Sequence, residues 1–199
     1  MITLILVRHG ETNWNVAGRL AGLIDEAVLT DEGEKQAIAL SKKLKNLKID
    51  LIYTSELKRA IQTARIIAKH LKKKVIRSAA FNERSWGIFE GKNWEKTKNV
   101  LIRTYETDRD NLRPEGGETY QEFKKRVFWE IEKIIKIEDG RKILIVTHGG
   151  VVRVLIKFLK NLSDQEMQGI KVYNTSLTIF KMNAGKVEEE LIADVEHLN

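Results

Sequence analysis

The chain opens on Ile2-Thr3-Leu4-Ile5-Leu6-Val7, a short and almost unbroken apolar run that ends in a polar loop. Such a run predicts a strand buried on both faces, as in a parallel sheet. The period then changes. Ala37, Leu40, Leu44 and Leu47 recur at helical spacing behind Thr30, a natural N-cap, and predict a helix through about Leu47. Asp50 to Thr54 predicts a second strand. Ser55 is placed to cap a helix with Ala60, Ala64, Ile67 and Leu71 on its inner face, and Val75 to Arg77 predicts a minimal third strand. From Phe81 to Glu118 the pattern is irregular, with one helix expected near Trp94 to Tyr105. Thr119-Tyr120-Gln121-Glu122 is a capping box that opens an amphipathic helix carrying Tyr120, Phe123, Val127, Ile131 and Ile134 on one face. Lys142 to Thr147 predicts another buried strand, followed by His148-Gly149-Gly150 and a helix through about Leu159. Thr175 to Lys181 and Val187 to Ile192 predict late strands around a turn at Asn183 to Gly185.

Strands alternating with helices imply an α/β fold, a three-layer α/β/α sandwich with a mainly parallel sheet. The expected organisation is one domain, 1–199, with a lid-like insertion at about 84–118. In such sheets ligands bind beyond the carboxyl ends of the strands.

Composition narrows the chemistry. None of the 199 residues is cysteine, which removes disulfides, thiolate catalysis and cysteine zinc sites. No zinc or calcium motif is present, so no metal and no cofactor are expected. The apolar start is too short for a signal peptide and no segment is long enough for a membrane span, so the expected location is cytoplasmic, with no membrane partner. The net charge of +7 is concentrated between Lys42 and Arg77, against an acidic tail from Val187. A basic surface attracts nucleic acid or small anionic metabolites, and it also describes a plain lysine-rich solvated face.

The strand ends carry the chemical signal. Arg8 and His9 follow the first strand. Arg59 lies in the first turn of the helix after the second strand, Glu83 comes soon after the third, and His148 directly follows Thr147. These elements deliver two histidines, two arginines and a carboxylate to one edge. Arginine forks match phosphate oxygens bidentately, an imidazole nitrogen can attack phosphorus, and a carboxylic acid can protonate the departing alcohol. Spacing alone does not choose between Glu83 and Glu90 for the acid. Arg84, Lys92, Arg103, Arg109 and Arg113 are candidates for holding a second anionic group, or they form a charged lid surface. Trp86 and Trp94 either line a pocket or close a small core. His70 and His197 are expected in solvent.

Six segments occur in a recognisable order: Leu6-Val7-Arg8-His9-Gly10-Glu11-Thr12-Asn13-Trp14-Asn15; Leu29-Thr30-Asp31-Glu32-Gly33; Tyr53-Thr54-Ser55-Glu56-Leu57-Lys58-Arg59-Ala60; Asn82-Glu83-Arg84; Gly116-Gly117-Glu118-Thr119; and Val146-Thr147-His148-Gly149-Gly150. Over nearly the whole chain this set resembles the histidine phosphatase superfamily in its phosphoglycerate mutase-like branch. The resemblance implies His9 as nucleophile and Glu83 as general acid/base. Arg8, Arg59 and His148 would form the phosphate pocket, with Asn15 as a polar contact and Gly149 contributing backbone. Leu23 departs from the pattern, standing where relatives often carry tryptophan.

The implied activity is metal-independent hydrolysis of small phosphate monoesters through a phosphohistidine. The short region after Glu83, the Gly149-Gly150-Val151 sequence and Trp86 favour a phosphatase over a cofactor-dependent phosphoglycerate mutase, although Asn82-Glu83-Arg84 is mutase-like. A non-catalytic module binding anions or nucleic acid is the remaining alternative. The expected partner is a small phosphorylated metabolite, not nucleic acid, and the chain is a monomer or a homodimer.

Overall fold

The computed structural model describes residues 1–108, 110–183 and 186–199, without the side chains of 102–108. Arg109, the side chains of Arg103 and Tyr105, and the expected turn residues 184–185 therefore lie outside the described residues. The elements in chain order are β1 (Ile2–Arg8), α1 (Asn13–Val16), α2 (Asp31–Leu44), β2 (Leu51–Thr54), α3 (Lys58–Leu71), β3 (Val75–Arg77), α4 (Trp94–Asp108), α5 (Tyr120–Ile137), β4 (Lys142–Thr147), α6 (Gly149–Lys160), α7 (Asp164–Gln168), β5 (Leu177–Asn183) and β6 (Lys186–Asp194). The short helices α1 and α7 have too few residues to show a periodic signal.

The sheet order is β3-β2-β4-β1-β5-β6. The first four strands run parallel, and β5 and β6 close one side antiparallel. The continuous apolar runs follow from burial on both faces. In β1, Leu4 and Leu6 point into one layer and Ile5 and Val7 into the other; Ile143 and Ile145 of β4 alternate with Leu144 and Val146 in the same way. One layer is filled by Leu40 and Leu44 of α2 with Ala64 and Ile67 of α3. The other is filled by Phe123, Val127, Ile131 and Ile134 of α5 with Val151, Val152 and Leu155 of α6. No helix among the described residues is long and apolar enough to cross a membrane.

Local chemistry sets the helix starts. Thr30 accepts from the Gly33 amide, and Thr119 and Glu122 exchange the two bonds of a capping box. The expectation for Ser55 needs correction. Helix α3 begins at Lys58 with Leu57 as its N-cap and no side-chain cap there. The distant Asp25 carboxylate accepts from the Lys58 amide at 2.7 Å instead, which frees the Ser55 hydroxyl for another partner.

Gly33 couples α2 to the loop after β1. A Cβ at this position would lie 2.1 Å from the Glu11 carbonyl oxygen. Replacing glycine by alanine inside an exposed helix normally stabilises a protein by about 1 kcal/mol. Here the overpacking should dominate, and Gly33→Ala should lower stability by about 1–3 kcal/mol in urea unfolding. A rise in the midpoint would contradict this packing.

Candidate active site

The register of the parallel ladder places the two site histidines. Arg8 pairs with Thr147, and the His9 amide donates to the Thr147 carbonyl at 2.8 Å. The residues that follow, His9 and His148, therefore leave adjacent strand ends together. Their ring centroids lie 5.3 Å apart at an interplanar angle of 62°.

His9 Nδ1 is 2.8 Å from the Gly10 carbonyl oxygen, an acceptor only, so Nδ1 carries the proton and Nε2 keeps its lone pair. Burial holds the His9 imidazole well below its ordinary value of 6.5, and the Arg59 and Arg8 guanidiniums push it the same way against the Gly10 bond. His148 is fully buried and also held well below that value, by desolvation first and then by Arg59, His9 and Arg8. Its Nε2 lies 2.7 Å from Ser55 Oγ, which accepts from the Leu57 amide. With the Ser55 hydroxyl donating to Nε2, His148 Nδ1 is the protonated nitrogen.

Arg8 and Arg59 are fixed by backbone carbonyls. Arg8 Nη1 donates to Val172, and Arg59 donates to Ile24 through Nη1 and to Gly22 through Nη2. Arg59 is 1% exposed, and burial lowers its guanidinium to about 10, so it stays charged at neutral pH. Arg8 Nε, Arg59 Nε and His148 Nδ1 are all buried without a hydrogen-bond partner in the protein. Leaving such groups unpaired costs about 1–3 kcal/mol each, more for charged ones. Arg8 and Arg59 line one cleft, and their unpaired donors match a ligand rich in acceptors, while the His148 ring packs against His9 without reaching the lining.

Glu83 faces them. Its Oε1 accepts from the Arg84 amide at 2.9 Å and its Oε2 from the Gly150 amide at 3.0 Å, in the first turn of α6. A Cβ at Gly150 would lie 2.2 Å from Glu83 Oε1, so that position admits only glycine while the carboxylate sits there. Asn15 accepts through Oδ1 from the Thr12 amide and Asn174 Nδ2, and it lines the cleft. The cleft holds about 470 Å³ and is lined by Arg8, His9, Asn15, Arg59, Glu83 and Gly149, among others. Trp86 and Trp94 also line it.

Several expectations fall differently. Arg84 is 3% exposed and does not line the cleft. Its guanidinium donates to the Leu112 and Glu118 carbonyls and lies 4.4 Å over the Trp86 ring, so it fastens the 110–118 stretch. Arg113 is paired with Glu122 and the Gly117 carbonyl, and Lys92 lies over Phe89. Glu90 accepts from the Trp86 amide and the Ser85 hydroxyl outside the cleft lining, which leaves Glu83 as the carboxylate in position. His70 is exposed as expected. His197 is not a free tail residue, for its Nε2 lies 3.1 Å from Thr175 Oγ1.

Supporting residues carried no usable sequence signal. Arg126 of α5 donates to the Ala80, Asn82 and Glu83 carbonyls and pairs with Glu118, which pins the loop bearing Glu83. Thr63 accepts from the Gly10 amide, and Asn174 donates to the His9 carbonyl. Thr175, with φ 55°, donates its amide to the Arg8 and His9 carbonyls. A left-handed β-branched residue is a strained one, and its place beside both site residues gives the strain a structural setting.

Comparison with known proteins identifies the family. The family model of the histidine phosphatase superfamily (branch 1) matches residues 4–195. A metal-independent phosphoserine phosphatase of Arabidopsis thaliana is 34% identical over 98% of this chain and 83% of its own length. A 2,3-bisphosphoglycerate-dependent phosphoglycerate mutase of Streptococcus gordonii is 29% identical over 92% of this chain and 94% of its own. The phosphoserine phosphatase of Entamoeba histolytica, solved as a mutant with phosphoserine and also with 3-phosphoglyceric acid, superposes with a TM-score of 0.88 at 27% identity, covering 100% of both chains. From the strand-end histidines, the arginine pocket and these relatives together, the chain belongs to the histidine phosphatase superfamily.

Proposed function

We propose that the protein hydrolyses small phosphate monoesters in this cleft through a phosphohistidine on His9, without a metal ion. One observation carries the reading. His9, whose Nδ1 is turned to the Gly10 carbonyl and whose Nε2 keeps its lone pair, lines one cleft with the partnerless buried Nε donors of Arg8 and Arg59 and with the Glu83 carboxyl group.

The chemistry follows from what each group can do. Arg8, Arg59, His148 and Asn15 hold the phosphoryl oxygens, and Gly149 adds the first turn of α6. The Nε2 lone pair attacks phosphorus, and the bond from phosphorus to the alcohol oxygen breaks. Protonated Glu83 gives its proton to that oxygen. The alcohol leaves and Glu83 remains as a carboxylate. It then takes a proton from water as the water oxygen attacks phosphorus, the P–N bond breaks, and phosphate departs with His9 neutral again. Charge on the transferring group is met by guanidiniums and a ring N–H that are already in place.

The direct test is phosphate release from phosphoserine and 3-phosphoglycerate with a chelator present. Release that persists in chelator, falls at least about 1,000-fold in His9→Ala, and falls about 100-fold or more in Glu83→Gln is the expected pattern. Isomerisation of 3-phosphoglycerate with a bisphosphoglycerate primer and little hydrolysis would make the protein a mutase instead.

The neutral imidazoles give a second test. In the folded chain His9 and His148 refuse protons that the unfolded chain takes up below about pH 6.5. The sign is therefore a loss of stability as pH falls through about 6.5, with the folded rings still neutral. Ring-nitrogen NMR at pH 6.0 should show both as neutral imidazoles. Charged rings at that pH would contradict the desolvated site.

A further inference from the structure

A third arginine lines the cleft and has no role in the steps above. Arg19 sits in the Gly18–Gly22 stretch that forms one wall. That wall is stitched to the 91–94 stretch, with Leu20 donating to Lys92, Gly91 to Leu20 and Trp94 to Gly18. The Arg19 guanidinium carbon lies 4.6 Å from the centre of the Trp14 ring, and its Nε donates to the Gly91 carbonyl at 2.7 Å. Ring and carbonyl together fix the plane of the fork. The residue is exposed, and among the described residues it has no ion-pair partner, whereas Arg113 and Arg126 are paired with carboxylates.

Charge counting gives this fork a task. Arg8, Arg19 and Arg59 line the cleft, with Glu83 as its carboxylate. Three guanidiniums therefore line the space a substrate would fill. A phosphate monoester dianion balances two, and Arg8 and Arg59 both bring a partnerless Nε to it. One guanidinium of the lining is left, on a side chain shaped to take a planar anion through two parallel bonds. The cleft volume of about 470 Å³ suits a compact metabolite.

Building on the phosphatase reading, we infer that Arg19 is the receptor for a second anionic group of the substrate, a carboxylate on the short alcohol part of the phosphate ester. Phosphoserine and 3-phosphoglycerate have this form. Phosphoethanolamine and glycerol 3-phosphate are their counterparts without the carboxylate.

The experiment compares kcat/KM within each pair for the wild type, Arg19→Met and Arg19→Lys. Both members of a pair are assayed on one enzyme preparation, so the ratio is insensitive to the fraction that is folded. Arg19→Met keeps an apolar stem over Trp14 but loses the fork. It should lower the preference for the carboxylated member by about 10- to 100-fold, the range of charge-assisted bonds. Arg19→Lys should lower it by less. An unchanged ratio in Arg19→Met overturns the assignment, even if both rates fall. Loss confined to a bisphosphate such as fructose 1,6-bisphosphate, with the carboxylate ratios intact, also overturns it and makes the second group a phosphate. If the wild type releases phosphate from none of these esters, the phosphatase reading fails by itself. The anion assignment is then decided by calorimetric affinity for the same pairs, with the same ratio expected to fall.

Discussion

The parallel pairing of β1 with β4 sets Arg8 opposite Thr147, and the residue after each is a histidine. Everything at the site depends on that register. A slip by one residue would reverse every side chain of β1 between the two apolar layers, sending Leu4 and Leu6 where Ile5 and Val7 belong. The two filled layers therefore lock the register, and the register brings His9 and His148 within ring contact. The core determines the chemistry by fixing a ladder.

Around that ladder the protein holds charge in a way that does not favour folding. Arg8 and Arg59 are desolvated among carbonyls, and both are lowered from the usual guanidinium value by burial. Two imidazoles are kept neutral beside them. Three donors have no protein partner, and Thr175 is held in a left-handed conformation at φ 55°. Such costs persist where surrounding structure over-determines the conformation. Here the Asn174 and Thr175 bonds to the His9 and Arg8 carbonyls, the Thr63 bond to Gly10 and the Arg126 clamp on the Glu83 loop supply that rigidity. The donors that the fold leaves open are those an acceptor-rich anion would satisfy.

Much of this was legible in the sequence because it is local. Apolar runs and helical spacing located the strands among the described residues and the long helices α2, α3, α5 and α6, and Thr30 and Thr119 marked two helix starts as caps. Arg8, His9 and His148 were legible because they end or directly follow strands. Glu83 was legible as a position but not as a choice over Glu90 by spacing alone. What separates the two is the Gly150 amide, a contact between residues far apart in the chain. The same limit explains Ser55, whose hydroxyl reads as a cap but meets His148 across the site. Arg84 and Arg19 show it most clearly. Both are arginines near irregular segments, and only the fold reveals that Arg84 is used up by the Leu112 and Glu118 carbonyls while Arg19 lies open in the cleft.

The central claim is that His9, not His148, carries the phosphoryl group. The most direct measurement is rapid quenching during turnover of a phosphate ester, followed by mapping of the acid-labile phosphate by mass spectrometry. Glu83→Gln should prolong the intermediate, because the water that removes it lacks its base. The account predicts a phosphohistidine in the peptide containing His9. A phosphate mapped to His148 would contradict it.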